Sequence, residues 1–249
     1  MHGSFVLRAA ERGLSTLKST GRSASYVAGH PNAQITRHSS FNFNDYQSGR
    51  AGFGQVRVFG DEVFSGAGCG YNMHPHHDFV ICAFVLDGQL THVNTVGNID
   101  QLSRNDFYVF SAGSGGKHSE LNLRSEDMNA LYIWFLPEKL YLPPSYGRGH
   151  FDAQSGRNKL VALVGDAEGA LPIPQDVRVS RCASDRPVQG TYCLASDAHG
   201  VYAFVIEGTA RFNGTTLDRR DSAAVWGVDT VEYESGAGRS DILFVETVM

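Results

Sequence analysis

Hydrophobic residues occur along this chain in short stretches, several of which alternate with polar residues and most of which end near Gly, Asn or Asp. Short stretches bounded by turn-forming residues are typical of β-strands rather than helices. Asp87-Gly88 and Gly97-Asn98 lie between neighbouring stretches and favour hairpin turns. The predicted strands include Val56–Phe59, Phe79–Leu86, Leu90–Val96, Phe107–Phe110 and Ala130–Leu136.

The fold class expected from this pattern is all-β, a barrel or jelly roll rather than a doubly wound sheet. Patterns with the 3.6-residue period of a helix are scarce, and Val6–Lys18 is the best candidate for one. The chain has 249 residues, of which 42% are hydrophobic. This length is enough for one large β-rich domain or for two smaller ones.

An internal repeat favours two domains. Phe84–Gly88 (FVLDG) recurs as Phe204–Gly208 (FVIEG), and Leu102–Asp106 (LSRND) recurs as Leu217–Asp221 (LDRRD). The two motifs occur in the same order in both copies of the repeat. In each copy the second motif is followed by a short apolar stretch. Duplication explains this arrangement better than chance, so we infer two similar β-barrels joined near the prolines at 143 and 144.

Two pairs of side chains carry the candidate chemistry: His74 with His76, and His118 with Glu120. Within each pair the spacing is two residues, which places both side chains on the same face of a β-strand. Two adjacent strands would therefore direct three imidazoles and one carboxylate at a single point. Nitrogen and oxygen donors without sulfur suit Fe, Mn, Co, Ni, Cu or Zn, and six-coordinate binding would leave two positions open.

The repeat places no comparable set in the second barrel. The repeat offset brings Leu194 and Ser196 opposite His74 and His76, and residues 232–236 contain no histidine. One barrel is therefore predicted to carry the metal site.

Other polar residues receive structural interpretations. His92 falls within a predicted strand, and we expect a hydrogen-bonded core residue rather than a ligand. Glu62, Asp78 and Glu126 are expected to be solvated loop charges. The cysteines form no C-x-x-C pair and are interpreted as free thiols; they are Cys69, Cys82, Cys182 and Cys193.

The formal net charge of −5 and the pI of about 6.0 give no reason to expect direct nucleic-acid binding or attraction to an anionic membrane. No apolar run is long enough to predict a membrane-spanning helix. Met1–Gly13 contains scattered charges and does not read as a signal peptide. We therefore expect a cytoplasmic protein.

The stretch Gly70–Glu120 contains a His-Pro-His motif, a Leu-Asp-Gly turn, a His before a polar loop ending in Gly-Asn, and the closing motif Ser-Ala-Gly-x-Gly-x-x-His-Ser-Glu. Together these motifs resemble the pirin family of bicupins, which includes bacterial pirin-like quercetinases. Weaker similarity extends over most of the chain from about Ile35 onward. The chain departs from the family pattern at Val80, at Asn94-Thr95 and at Gly116.

The resemblance implies two tandem cupin barrels of jelly-roll type. On this basis residues 1–35 are a variable N-terminal segment, 36–140 an N-terminal cupin barrel with the metal site, and 141–249 a C-terminal cupin barrel without metal ligands. In the family, the positions of His74, His76, His118 and Glu120 bind a metal that is commonly iron.

The activity implied by the resemblance is cleavage of a flavonol such as quercetin by O₂. Glu120 would take the substrate's hydroxyl proton in addition to binding the metal. Met73 and Phe110 are candidate substrate-binding wall residues, with core packing as the alternative for each. A second interpretation is a non-enzymatic transcriptional or metabolic co-regulator that acts through a protein partner. A third is a bicupin with a purely structural metal.

Overall fold

The computed structural model describes residues 2–44 and 46–249, and nearly all of its regular structure is β-strand. One 3-10 helix, Ala9–Glu11, is present among these residues. No helix in this part of the chain has the length and apolar character needed to cross a membrane. In chain order the strands are β1 Gly3–Leu7, β2 Gly13–Lys18, β3 Val27–Ala28, β4 Gln34–Ser39, β5 Val56–Ser65, β6 Cys69–His76, β7 Val80–Asp87, β8 Gln89–Asn94, β9 Ile99–Ser103, β10 Asp106–Ser111, β11 Gly116–Asn122, β12 Met128–Phe135, β13 Ser145–His150, β14 Leu160–Val164, β15 Val177–Ser184, β16 Gln189–Cys193, β17 His199–Glu207, β18 Ala210–Phe212, β19 Thr215–Leu217, β20 Ser222–Trp226, β21 Thr230–Ser235 and β22 Ser240–Val248.

The all-β prediction is confirmed, but the helix predicted over Val6–Lys18 is wrong. That segment contains the end of β1, the 3-10 helix and all of β2. Gly13 lies in its middle, and glycine in a helix interior costs about 1 kcal/mol relative to alanine. β1 pairs with β20 and β2 pairs with β4, so tertiary strand pairing overrides a weak helical pattern.

The first compact unit comprises Gly13–Gly52 and Val56–His150. Its larger sheet has the strand order β13-β10-β7-β12-β5-β4-β2, and its smaller sheet has the order β3-β6-β11-β8-β9. Neighbouring strands in both sheets are antiparallel. The buried core includes Ile81 and Tyr108 from the larger sheet and Tyr71 and Leu90 from the smaller one. The core therefore lies between two sheets, as in a jelly-roll-like barrel.

The second unit contains the chain up to Arg12, Phe53–Gln55 and Phe151–Met249. Its sheets have the orders β1-β20-β17-β22-β15-β14 and β16-β21-β18-β19. Its core is again formed from both sheets, with Val201 and Phe244 on the larger one facing Phe212 on the smaller one.

Apart from β2 and β3, which have no counterpart in the second unit, the strand orders of the two units correspond, and this supports the duplication inferred from the repeat. The first repeated pentapeptide lies at the end of β7 in one unit and at the end of β17 in the other, and each of these strands is third in its larger sheet. In the smaller sheets, β6, β11, β8 and β9 take the places of β16, β21, β18 and β19.

The ends of the compact units differ from the predicted ranges 1–35, 36–140 and 141–249. β13, beyond the predicted boundary at 141, pairs with β10 of the first unit. β1, within the predicted N-terminal segment, pairs with β20 of the second unit. One edge strand of each larger sheet thus comes from a part of the chain that the ranges implied by the resemblance do not assign to that unit.

Candidate metal centre

The two predicted ligand pairs lie on adjacent antiparallel strands of the smaller sheet in the first unit. β6 carries His74 and His76, and β11 carries His118 and Glu120. His118 is opposite His74, but Glu120 is opposite Tyr71, so β6 has an extra residue at this point. This β-bulge allows Tyr71 and His74 to be buried on the same side although they are three residues apart.

The three histidines converge as the spacing predicts. One ring nitrogen from each of His74, His76 and His118 lies within 4.8 Å of the others. The ring centroids are 4.5 to 4.8 Å apart, and His118 is only 1% exposed. Such a group of nitrogen donors around one point suits a divalent transition metal.

The hydrogen bonds of the histidines leave their Nε2 atoms available. The Nδ1–H of His74 donates to the backbone carbonyl of Asn72 over 2.8 Å, which places the lone pair of this ring on Nε2. Nδ1 of His118 lies 3.1 Å from Nε2 of His92. Among the described residues, Nε2 of His76 and Nε2 of His118 are buried and have no hydrogen-bond partner. Buried polar atoms are rarely left unpaired, so this arrangement fits a metal ion.

Burial keeps these imidazoles neutral at physiological pH. It lowers the pKa of His76 to about 4, with a smaller contribution from the charge of His74. Burial also lowers the pKa of His74, and it lowers the pKa of His118 well below its ordinary value. Neutral imidazole is the form that binds a metal, so the site needs no proton release from histidine before binding.

Glu120 adjoins this cluster and is 3% exposed. Its Oε2 lies 3.8 Å from Nε2 of His118, and its Oε1 accepts a short hydrogen bond from the hydroxyl of Tyr108. Burial raises the pKa of Glu120 to about 8, although the Tyr108 hydrogen bond acts in the opposite direction. A metal ion would stabilise the carboxylate and replace the proton that the buried acid otherwise retains.

The predicted substrate-binding residues lie in different environments. Phe110 is fully buried, and its ring stacks on His118 with centroids 5.0 Å apart. Met73 is 47% exposed and lies on the opposite face of β6 from His74. The structure therefore brings Phe110, but not Met73, to the histidine cluster.

A pocket of about 590 Å³ reaches the cluster at His76. Trp134 packs edge-on against the His76 ring, with centroids 4.9 Å apart. The pocket is lined by Pro75, His76, His77, Thr95, Lys117 and the two glycines at 115 and 116. The ring of His76, whose Nε2 is itself buried, therefore borders a cavity large enough for a small aromatic molecule.

Buried polar residues behind the cluster were not identified from the sequence. Glu62, expected to be a solvated loop charge, is instead buried on β5 and accepts hydrogen bonds from Arg37 (2.7 Å) and from the hydroxyl of Tyr71 (2.8 Å). The Tyr71 ring in turn packs edge-on against His74. The apolar residues around Glu62 in β5 were the signal in the sequence that this side chain could be buried. The sequence could not reveal its partner, because Arg37 lies on another strand.

The second unit has hydrophobic residues at the matching positions. The ladders place Tyr192 opposite Val231, as His74 lies opposite His118, and they place Tyr233 where Glu120 lies. Tyr192, rather than Leu194, therefore corresponds to His74, and Leu194 rather than Ser196 corresponds to His76. These residues pack in or against the core of the second unit and offer no imidazole or carboxylate at the matching positions.

Comparison with known proteins agrees with this architecture. Residues 21–135 match the family described as Pirin, and residues 160–247 match the Quercetinase C-terminal cupin domain. A quercetin 2,3-dioxygenase of Escherichia coli (strain K12) is 32% identical over 219 residues, which cover 87% of this chain and 94% of the relative. The chain belongs to the pirin family. A pirin-like protein of Caulobacter vibrioides is 33% identical over 201 residues, covering 80% of this chain and 85% of the relative.

Solved pirin structures share the whole fold. The crystal structure of YhhW from Escherichia coli is 27% identical and has a TM-score of 0.84, with coverage of 98% of this chain and 97% of that one. A second structure, of the bacterial pirin YhhW in complex with nickel(II), is 25% identical, has the same TM-score and covers 99% of each chain. The pirin fold of this chain thus combines two cupin domains with a histidine cluster that could hold a divalent metal.

Proposed function

We propose that this pirin-family protein is a metal-dependent dioxygenase that cleaves a flavonol such as quercetin with O₂, and that its metal is iron. Relatives named quercetin 2,3-dioxygenase support the reaction and the substrate. The observation that carries the proposal is the pair of buried, unpartnered Nε2 atoms on His76 and His118, beside a pocket that reaches His76. A purely structural metal would not need a pocket at one of its ligands.

Four side chains have assigned roles in this proposal. His74, His76 and His118 would hold the metal through Nε2, and Glu120 would hold it through Oε2, which is not the oxygen engaged by Tyr108. When bound, the metal would supply Lewis acidity toward the substrate oxygens and redox chemistry toward O₂. The Tyr108 hydroxyl fixes Oε1 and so leaves Oε2 directed toward the cluster.

Glu120 would also accept a proton from the substrate. A flavonol must lose its 3-hydroxyl proton to become electron-rich enough to react with O₂. While Oε2 does not hold the metal, burial raises the pKa of Glu120 to about 8, and its carboxylate would then be a stronger base than an ordinary glutamate. Oε2 would be the atom that takes the proton in that state, because Tyr108 already donates to Oε1.

Aromatic side chains around the cluster would exclude water from it. Phe110 stacks on His118, while Trp134 contacts both His76 and Phe79. Such apolar surroundings would limit competing proton transfer from solvent.

The test is O₂ uptake with quercetin after anaerobic loading with Fe(II). We expect quercetin-dependent uptake by the unaltered protein and loss of both metal and uptake in His118→Ala. His150→Ala is the matched control, because His150 is exposed and pairs only with Asp106 among the described residues. Metal-loaded protein that consumes no quercetin with Fe, Ni, Mn, Co, Cu or Zn would overturn the proposal and favour the co-regulator interpretation.

A further inference from the structure

We propose that His92 is a positioning residue that holds His118 in the tautomer able to bind a metal. The inference rests on the metal site of the proposed function, but not on its substrate. His92 is on β8, is fully buried and lies opposite Glu120 in the ladder between β8 and β11. Its Nε2 is 3.1 Å from Nδ1 of His118, so it is the hydrogen-bond partner of this predicted ligand.

The direction of that hydrogen bond decides whether His118 can bind a metal. A neutral imidazole has one protonated nitrogen and one nitrogen with a lone pair. If His118 donates from Nδ1, its Nε2 carries the lone pair that faces the cluster. If His92 donates instead, His118 carries its proton on Nε2, and that nitrogen cannot bind a cation.

His74 provides the contrast within the same site. Its Nδ1 partner is the carbonyl oxygen of Asn72, which can only accept. The tautomer of His74 is therefore fixed by the backbone, whereas the tautomer of His118 depends on a side chain that can either accept or donate. A bound metal is compatible only with His92 as the acceptor.

The surroundings of His92 hold the ring in position for this role. The ring stacks on Tyr146 with centroids 5.1 Å apart and an interplanar angle of 8°, and it packs against Tyr108 at 4.2 Å. Nδ1 of His92 is buried and has no hydrogen-bond partner among the residues described. Among the described residues, the polar contact that defines the ring's orientation is therefore the one to His118.

Three variants separate hydrogen bonding from packing. His92→Phe keeps an aromatic ring in the stack but removes the acceptor. His92→Gln keeps an acceptor oxygen that can receive the Nδ1–H of His118. Tyr146→Leu removes the stacking partner but leaves the hydrogen bond intact. Zn(II) is a suitable diamagnetic probe, with affinity measured by competition against a chelator.

We expect His92→Phe to weaken Zn(II) binding by about tenfold to a hundredfold, the usual effect of losing such a partner. His92→Gln and Tyr146→Leu should each stay within about threefold of the unaltered protein. Equal losses in His92→Phe and His92→Gln, or a loss in Tyr146→Leu as large as that in His92→Phe, would reduce His92 to a packing residue and overturn the inference.

The tautomer itself can be observed by ¹⁵N NMR of the imidazoles in the unaltered, Zn(II)-loaded protein. We expect a protonated Nδ1 and a metal-bound Nε2 in His118. A metal-bound or unprotonated Nδ1 would refute the inference even if every variant failed to fold. Protein that binds Zn(II) with this tautomer but consumes no quercetin after loading with Fe(II) or any other metal of the test above would contradict the proposed function alone, whereas protein that binds no metal would contradict both.

Discussion

At the residue scale, the site depends on groups that would not themselves touch a metal. Tyr108 and His92 each contact one predicted ligand, and Arg37 with Glu62 forms a buried ion pair that reaches His74 through Tyr71. Partners of this kind set the orientation and basicity of ligands, and their loss typically costs metal affinity rather than the fold.

Replacing Tyr108 by Phe should weaken metal binding by about tenfold to a hundredfold. The hydroxyl fixes Oε1 of Glu120 and lowers the pKa of that carboxyl, so its removal frees the side chain and favours the protonated acid. The measurement is the Zn(II) dissociation constant at pH 7. Tyr132→Phe is the control, because the buried Tyr132 hydroxyl has no hydrogen-bond partner in the described structure. Equal effects of the two substitutions would contradict the role given to Tyr108.

At the scale of the elements, the sequence predicted the strands and the convergence of three histidines because both depend on local patterns. Apolar runs bounded by turn residues, and candidate ligands spaced by two, are visible over a few positions. His92 and Tyr108 could not be recognised as ligand partners, because hydrogen bonding between strands depends on ladder register. The sequence also did not reveal that the connections between matching strands differ in length. Phe84 follows His74 by ten positions, whereas Phe204 follows Tyr192 by twelve.

The close approach of β6 to β11 provides a test of this geometry. A Cβ atom at Gly70 would lie 1.9 Å from the carbonyl oxygen of Glu120, so Gly70→Ala must displace the strand that carries two predicted ligands. We expect a loss of about 1–3 kcal/mol in the free energy of unfolding, together with weaker metal binding. Urea unfolding and metal titration measure the two effects.

Gly238→Ala is the matched control for this substitution, because nothing lies within 4 Å of a Cβ atom there. A Gly70→Ala protein that unfolds at the same urea concentration as the control and retains full metal affinity would show that the two strands are not as close as described.

At the scale of the whole molecule, the first unit buries His74, His92 and His118 and half-buries His76. The second unit has hydrophobic residues at the positions that match the three predicted histidine ligands. At these positions the first unit therefore bears a cost in polar burial that the second does not. This asymmetry should be measurable as a dependence of stability on pH.

We expect the metal-free protein to lose stability as the pH falls from 6.5 towards 4. Burial lowers the pKa of His76 to about 4 and that of His92 to about 3, and it also lowers those of His74 and His118. The unfolded chain therefore takes up protons near pH 6.5 that the folded chain does not, at up to about 1.4 kcal/mol per pH unit for each histidine.

Glu120 acts in the opposite direction. Because its pKa is raised, it stabilises the folded protein as the pH falls from 8 to 4.5. It is a single group, however, and the four histidines together outweigh it. Urea midpoints measured across this range test the balance, and His76→Gln should reduce the slope. Midpoints that stay constant from pH 6.5 to 4.5 would contradict the neutral, buried state of the histidines.

The position of β1 has a consequence for how the protein is made. Gly3 pairs with Trp226, so β1 is synthesised long before β20, the strand with which it pairs. The segment Phe151–Met249 therefore cannot complete the larger sheet of the second unit without β1. Removal of β1 would consequently disturb a unit whose other strands lie far away in the sequence.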